Sequence, residues 1–339
     1  LLADIEGRRI ALTRDFDGLT GELTDNARRD NVILLDEKAA MALTDYMPGK
    51  HVTVTDIIEK PFTQKPQAPF ITSTLQQEGS RKLRYTAKRT MRVAQRLYEN
   101  GYITYMRTDS NTLSQEAVNA ARAQITELFG AEYVPDEPRT YKGKVKGAQE
   151  AHEAIRPAGT EFRTPDSLRS ELDDDAFKLY DLIWRRTVAC QMKDAKGQRT
   201  QVRMKADITA AVSEAAGQDV TGKATFTASG KVITFPGFLK AYRFTEDNDG
   251  ESESDNEDKI LPPMAKGEQL DAKELKPAGH NTKPPARYTE ASLVKMLEER
   301  GIGRPSTYAS IIQTIQDRGY VWKKGGALVP TLTAFAVTQ

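Results

Sequence analysis

The chain has 339 residues, of which 38% are hydrophobic, and its 49 basic and 48 acidic side chains give a formal charge of +1. Eight acids lie within residues 246–258, so the other 40 leave +9 on the rest of the chain, which favours a polyanionic partner. A mean hydropathy of −0.58 without an 18-residue apolar run excludes a membrane-spanning helix. No secretory signal is visible, and the single Cys190 excludes an intrachain disulfide, so we expect a cytoplasmic protein.

The first part of the chain is predicted to be β-rich. Short alternating runs in residues 1–64, such as 9–12 and 51–55, indicate strands, and prolines at 61, 66 and 69 mark a boundary. Helical spacing then predicts helices over 86–100, 114–129 and 172–192, with a strand at 102–106.

Strand periodicity returns over about 200–235. The β-rich stretches on both sides of the helical block therefore predict one discontinuous domain that carries a helical insertion, an α+β multidomain fold. The acidic segment 246–258 is predicted to be a solvated, disordered loop. Helices over 290–300 and 306–318, a glycine turn and a hairpin-like tail are typical of a winged helix-turn-helix.

The segment Gly101–Ser110 is the first candidate site. On an extended strand Tyr105 and Arg107 point to the same face, where a guanidinium could compensate the charge of a phosphate attacked by the tyrosine hydroxyl. A core tyrosine beside a surface arginine is the structural alternative.

Three further patterns favour phosphate binding. His152 and Arg156 would be neighbours if their segment is helical, although a structural histidine is the alternative. Residues 81–92 hold six basic side chains and no acidic one, which is also typical of a solvated helix face. Residues 301–308 could form a phosphate cradle at a helix N-terminus, or simply a turn. The acids at 173–175 complement a helix dipole and are not predicted to bind metal.

Taken in order, these motifs resemble the bacterial DNA topoisomerase I family, the type IA enzymes, and look most like actinobacterial members. The resemblance covers essentially the whole chain. It is carried by APFITSTLQQE (68–78), QRLYENGYITYMRTDS (95–110), QEAHEAIRPAG (149–159), LYDLIWRRTVACQM (179–192), FPGFLKAY (235–242) and PPARYTEASLVKMLEERGIGRPSTYASIIQTIQDRGYV (284–321).

The resemblance implies roles for single residues. Tyr105 matches the nucleophile that forms a 5′-phosphotyrosine link with single-stranded DNA, and Arg107 matches the arginine that neutralises the scissile phosphate. The other positions that it implies at the DNA are His152, Arg156, Gln95, Glu99, Thr104, Asp109, Arg304, Ser306, Thr307 and Arg318. The implied partners are single-stranded and negatively supercoiled DNA, acted on by a monomeric isomerase without ATP.

The resemblance also implies a toroid. A β-rich arch would comprise 1–64 and 193–280, a helical, winged-helix-like domain with the nucleophile would comprise 65–192, and part of a helical base would comprise 281–339. The family's Toprim domain, whose acidic residues hold Mg²⁺, has no counterpart here. We therefore expect a fragment that binds no metal and cannot relax supercoiled DNA alone.

Two other classes remain open on the residues alone. Tyrosine recombinases also combine Tyr, Arg and His, but their tyrosine typically follows the other two, whereas Tyr105 precedes His152 by 47 positions. A single-strand-binding module without catalysis would use the same basic motifs as a groove.

Overall fold

The computed structural model describes residues 1–141, 153–243 and 260–339. The backbone forms two compact units. One comprises Leu1–Phe62, Lys196–Thr234 and Ser254–Ala286, and the other Thr63–Ala195, Phe235–Glu253 and Arg287–Gln339. The three domain ranges expected from the sequence stay a prediction. Among the described residues no helix is both long and apolar enough to cross a membrane.

The first unit is built on a sheet in the order β2-β1-β5-β4-β3-β6. Its strands are β1 (Leu2–Ile5), β2 (Arg8–Arg9), β3 (His51–Gln64), β4 (Ala195–Ile208), β5 (Gly222–Phe235) and β6 (Gln269–Asp271). The β1–β5 and β3–β6 pairs are antiparallel, with Ile5 opposite Ala224 and His51 opposite Asp271. Helices α1 (Asp25–Arg29), α2 (Glu37–Tyr46) and α7 (Ala210–Ala216) belong to this unit, and a buried apolar cluster joins α2 and α7 to the strands.

The second unit is mainly helical. Its helices are α3 (Thr72–Leu83), α4 (Ala87–Glu99), α5 (Gln115–Phe129), α6 (Asp174–Cys190), α8 (Leu239–Arg243), α9 (Glu290–Glu299), α10 (Tyr308–Asp317) and α11 (Leu332–Thr338). A hairpin of β7 (Val321–Lys324) and β8 (Ala327–Pro330) follows α10. Trp184 and Tyr180 of α6 are fully buried, and the Trp184 indole N–H donates to Gln124 Oε1 at 2.7 Å.

Local capping explains where these helices begin. The side chains of Thr86, Ser114 and Asp173 each accept a backbone N–H three residues on, at the starts of α4, α5 and α6. The acids at 173–175 therefore do act at a helix N-terminus, as predicted. Between α3 and α4 the chain turns through Arg84 in the left-handed region, with φ of 58°.

The two helices then pack closely, because a Cβ at Gly79 would lie 2.8 Å from Thr90 Oγ1. This close approach brings α3 against the start of α4.

The elements predicted from periodicity are mostly confirmed. The five helices predicted in the middle block and the C-terminal part, α4, α5, α6, α9 and α10, begin and end within about two residues of the predicted positions, whereas α11 was not predicted. The strand predicted at 102–106 is wrong, because only Ile103 forms a bridge, to Pro157. The β reading of residues 1–64 missed α1 and α2, and α3 was also missed. The loop predicted at 246–258 lies outside the described residues.

Candidate active site and nucleic-acid groove

The segment that follows α4 places Tyr105 at the surface. Gly101 has a φ of +77°, which turns the chain out of the helix, and the residues from Ile103 to Thr108 form no regular strand but largely alternate between buried and more exposed, as on an extended chain. Ile103, Met106 and Thr108 are buried, whereas Tyr105 and Arg107 are exposed. The extended backbone therefore presents both predicted catalytic side chains on one open face, as expected from the two-residue period.

Hydrogen bonds hold this segment against residues 154–158. The Thr104 N–H donates to Arg156 O at 2.9 Å, and the Ala158 N–H donates to Tyr102 O at 2.9 Å. The Thr104 hydroxyl donates to Ala154 O at 2.8 Å and accepts the Arg156 N–H at 3.0 Å. Thr104, one of the positions implied at the DNA, thus joins the two segments through both its backbone and its side chain.

The ring of Tyr105 contacts a second exposed tyrosine. Tyr98 of α4 lies edge-to-face against it, with ring centroids 5.2 Å apart and an interplanar angle of 69°. The two side chains are 42% and 43% exposed, so both phenol rings reach solvent. Edge-to-face pairs restrict ring orientation at a gain of about 0.5–1.5 kcal/mol.

A groove lies beside this segment, between α4 and α10, with a volume of about 410 Å³. It is lined by Lys88, Met91, Arg92, Gln95, Arg107, Pro305, Ser306, Ala309, Ser310, Gln313 and Thr314. Three of these side chains are cationic and none is acidic. Within the described part of the chain, the structure gives Lys88, Arg92 and Arg107 no ion pair and no side-chain hydrogen bond. The groove is therefore cationic, with both polar and apolar side chains in its walls, and is suited to a phosphodiester chain.

One buried carboxylate joins α9 to the start of α4 and to β7. Glu290, at the start of α9, is 6% exposed and accepts the Ala87 N–H at the start of α4 at 2.7 Å. It also pairs with Lys323 of β7. Beside it an apolar cluster of Ala87, Val294, Leu297, Tyr308 and Ile312 joins α4, α9 and α10.

Arg156 does not have the position expected of a DNA contact. It is 7% exposed, and its Nε and Nη2 donate to the two carboxylate oxygens of Glu153 at 2.7 and 3.0 Å. Its Nη1 donates to the carbonyl oxygens of Pro157 and Gly159 at 2.7 and 3.0 Å. Residues 153–157 form no helix, although a helix was the condition for pairing Arg156 with His152, which itself lies outside the described residues. The direct DNA contact expected of Arg156 stays a prediction, but its environment favours a structural role, because four of its five N–H donors already have protein acceptors.

The turn before α10 shows a division of roles. Ser306 is exposed and lines the groove, whereas the Thr307 hydroxyl accepts the Arg304 N–H at 2.8 Å and donates to Arg304 O at 3.2 Å. The Arg304 guanidinium donates to Gly303 O at 2.7 Å and stays exposed. Thr307 thus stabilises the turn that presents Ser306.

The remaining predicted residues lie at several places. Gln95 lines the groove, and its amide donates to Glu99 Oε1 at 2.7 Å. Burial raises the pKa of Tyr308 at the start of α10, and the charges of Glu298 and, more weakly, Asp109 add to the rise. Arg318 is exposed at the C-terminal end of α10, beyond the residues that line the groove. His152 lies outside the described residues.

Sequence reasoning missed several residues of this surface. Lys88, Met91 and Arg92 were noted only as part of a basic run, yet their helical spacing from Gln95 places all four side chains on one helix face. Tyr98 and Glu290 were each placed in a predicted helix, but neither was predicted to contribute to this surface. The spacing carried a usable signal for α4, whereas no sequence signal pairs Glu290 with Ala87, 203 positions away.

Comparison with known proteins finds related sequences and a related fold. The family model for DNA topoisomerase matches residues 10–339. The DNA topoisomerase 1 of Mycolicibacterium smegmatis is 57% identical over 336 residues, which are 99% of this chain and 34% of the relative. That of Streptomyces coelicolor is 58% identical over 338 residues, 100% of this chain and 34% of the relative. Full-length topoisomerase I from Thermotoga maritima superposes with a TM-score of 0.71 at 33% identity, covering 95% of this chain and 49% of that one.

The chain combines a helical unit, which carries an exposed tyrosine and a cationic groove, with a β-rich unit, and this combination defines a protein of mixed α+β architecture. The chain belongs to the bacterial DNA topoisomerase family. The fold class expected from the resemblance, that of a type IA topoisomerase, is confirmed. The chain spans about a third of the length of the curated relatives that it matches.

Proposed function

We propose that this chain supplies the nucleophile and a single-strand-binding groove for type IA topoisomerase chemistry, the transient cleavage and religation of one DNA strand. The observation that carries the proposal is the position of Tyr105 and Arg107. Both are exposed on one face of an extended segment, and Arg107 also lines the cationic groove without an ion pair among the described residues.

In the proposed reaction the Tyr105 hydroxyl oxygen attacks a backbone phosphorus of a single strand. The new Tyr–O–P bond replaces the bond to the 3′ oxygen, which leaves as a hydroxyl, so the phenol proton is balanced by the proton that this oxygen gains. The Arg107 guanidinium neutralises the phosphate as charge builds up on it. Reversal reseals the strand, and because the covalent link keeps the phosphodiester energy, ATP is not required.

The groove would hold the strand that approaches Tyr105. Lys88, Arg92 and Arg107 would contact successive phosphates, while Ser306 and Gln313 offer polar groups to the backbone or bases. Gln95 and Glu99 on α4, and Asp109 near α10, would complete the surface around the scissile phosphate. We propose that this strand comes from negatively supercoiled chromosomal DNA. The enzyme that acts on it would be a monomer in the bacterial cytoplasm.

The Mg²⁺ that the resemblance implies does not fit the described residues. These contain no group of three His, Cys, Asp or Glu side chains able to hold a metal ion. We assign no reaction step to a metal here, and propose that the acidic metal site belongs to the Toprim domain of the family. We therefore expect no relaxation of supercoiled DNA by this 339-residue chain alone. Mg²⁺-dependent relaxation in a gel assay would overturn that expectation.

A chimeric enzyme tests the nucleophile directly. This chain would replace the matching 336 residues of the Mycolicibacterium smegmatis relative, and the product would be incubated with an end-labelled single-stranded oligonucleotide and trapped with denaturant. We expect a covalent adduct with Tyr105 and none with Tyr105→Phe, because only the attacking oxygen is lost. Binding of the oligonucleotide should be retained.

Tyr98→Phe is the matched control, because this neighbouring tyrosine is equally exposed and the substitution removes a similar hydroxyl. Its adduct should persist. Cleavage should leave the protein on the fragment that begins with the 5′ phosphate. A label at the 5′ end of the oligonucleotide should therefore appear on the other fragment, which carries no protein. A 3′ link would instead support recombinase-like chemistry, and an adduct in Tyr105→Phe would refute the assignment.

A further inference from the structure

Helix α4 carries two sets of basic side chains on adjacent faces. At about 100° per residue, Lys88 and Arg92 share the groove face with Gln95, whereas Arg89 and Arg96 share a face rotated by about 90°. We call these pairs the groove set and the outer set. Both sets lie on the same helix. A polyanion attracted by their charge would therefore bind to either set unless another feature distinguishes them.

The two sets differ in their partners. Within the described residues, Lys88 and Arg92 form no ion pair. In the outer set, Arg89 donates to Asp175 at 2.7 and 3.0 Å, and Arg96 donates to Asp173 at 2.7 and 2.9 Å. Both aspartates lie at the N-terminus of α6. The outer set is thus neutralised, and the groove set is not.

The two arginines of the outer set are not buried, so they do not need an ion pair to offset a cost of desolvation. The Arg89 and Arg96 side chains are 43% and 50% exposed, and those of Asp175 and Asp173 are 29% and 53% exposed. Exposed ion pairs contribute little to stability, so a stabilising role alone is a weak reason for two of them. An exposed arginine without its aspartate would, by contrast, be free to bind phosphate.

Asp175 also remains charged at neutral pH. The hydrogen bond from Arg89 is the largest cause that holds the pKa of Asp175 below its usual range, with burial acting against it and the Tyr85 hydroxyl adding to the lowering. Arg89 also lies over the Tyr85 ring, 4.4 Å from its centroid, which fixes the guanidinium on the outer face.

We propose that Asp173 and Asp175 determine where single-stranded DNA binds on α4, by neutralising Arg89 and Arg96 so that only the groove face attracts the phosphate backbone. This inference rests on the single-strand binding proposed above. The aspartates act as specificity residues that suppress a second, unproductive path for the strand along the outer face of α4, away from Arg107.

The test measures binding of this chain to a fluorescent oligothymidylate by anisotropy over a salt series. Lys88→Met with Arg92→Met should weaken binding by about tenfold or more, and should flatten the dependence of log K on log salt by about 1.4. Arg89→Met with Arg96→Met removes the same charge from the same helix. It should change the affinity by less than about twofold.

Asp173→Asn with Asp175→Asn should strengthen binding by about fivefold to tenfold and steepen the salt slope by about 1.4, as two arginines become available. Asparagine keeps both the acceptor for Tyr85 and the cap of α6, so folding should be preserved, as thermal unfolding would check. Adding Arg89→Met and Arg96→Met to this variant should return the affinity to that of the unaltered chain.

Two results would overturn the inference. One is an affinity and salt slope unchanged by the two asparagine substitutions in a folded chain. The other is a gain that survives removal of both outer arginines, which would indicate general loss of negative charge. If the groove variant binds as well as the unaltered chain, the groove assignment in the proposed function fails instead, while the aspartate variants still decide this inference.

Discussion

Two arginines beside the same extended segment have opposite environments. Arg156 is 7% exposed, and its guanidinium binds both oxygens of Glu153 and two carbonyl groups. Arg107 is exposed, lines the groove, and has no ion pair within the described part of the chain. Both were predicted at the DNA from motifs of similar quality.

The difference teaches that a basic residue in a catalytic motif can have either of two functions. A guanidinium whose donors are saturated by protein acceptors fixes the backbone, and one whose donors are free can bind an incoming phosphate. Here Arg156 shapes the segment that supports Thr104, and Arg107 faces the groove. Stability and binding measurements should therefore separate the two residues.

The largest expected effect is on stability. Arg156→Met should lower the free energy of unfolding by about 3 kcal/mol, because it leaves the partly buried Glu153 carboxylate without its charged partner. Chemical denaturation measures this. Arg156→Lys is the matched control: it keeps the charge but loses the two-pronged contact, so we expect an intermediate loss. A loss below about 1 kcal/mol would contradict the structural role.

Thr104→Val should have the next largest effect, about 1–2 kcal/mol of lost stability. The substitution removes the hydroxyl that bonds Ala154 O and the Arg156 N–H, which leaves a buried backbone donor without its partner. In the chimeric enzyme the same variant should slow adduct formation, since the Tyr105 segment loses its support. Thr104→Ser, which keeps the hydroxyl, should restore both properties, and a failure to do so would point to packing instead.

Arg107→Met should change binding rather than stability. We expect the affinity for single-stranded DNA to fall about tenfold, or about 1.4 kcal/mol, as one phosphate contact is lost. The free energy of unfolding should stay within about 0.5 kcal/mol, since the side chain is exposed and unpaired in the described residues. A large loss of stability would remove the contrast with Arg156.

The smallest effect concerns pH. Burial raises the pKa of Glu153, but hydrogen bonds from Arg156 and the Ser114 N–H outweigh it, so the pKa lies below its usual range. Its contribution to stability is therefore complete above the unfolded pKa of about 4.3 and is lost as pH falls through the lower folded pKa. The stability gap between the unaltered chain and Arg156→Met should narrow over this acidic range. A gap that widens would be inconsistent with a paired carboxylate.

Much of the second unit follows from local sequence. Ser114 before an apolar stripe predicted α5, and the glycine turn between two amphipathic segments predicted α9 and α10. The extended Tyr105 segment was mistaken for a strand because side chains alternate between two faces in an extended segment as they do in a strand. Only the partner segment, about 50 residues away, decides that a single bridge forms at Ile103. Helices α1 to α3 were missed because they are short or largely polar. Their few apolar residues do not show a clear helical period, so the segments resemble loops and strands.

The sequence by itself determined the family, the nucleophile candidate and the common face of Tyr105 and Arg107, since these depend on motif order and on a two-residue period. Tertiary structure alone decided which cations are free. The Arg156 guanidinium also binds the carbonyl oxygens of Pro157 and Gly159 in a segment without helix, and the pairing of Arg89 with Asp175 joins residues 86 positions apart. The sequence shows which side chains are charged. Whether a cation is free to bind a phosphate depends on which acceptors folding brings within about 3 Å of it.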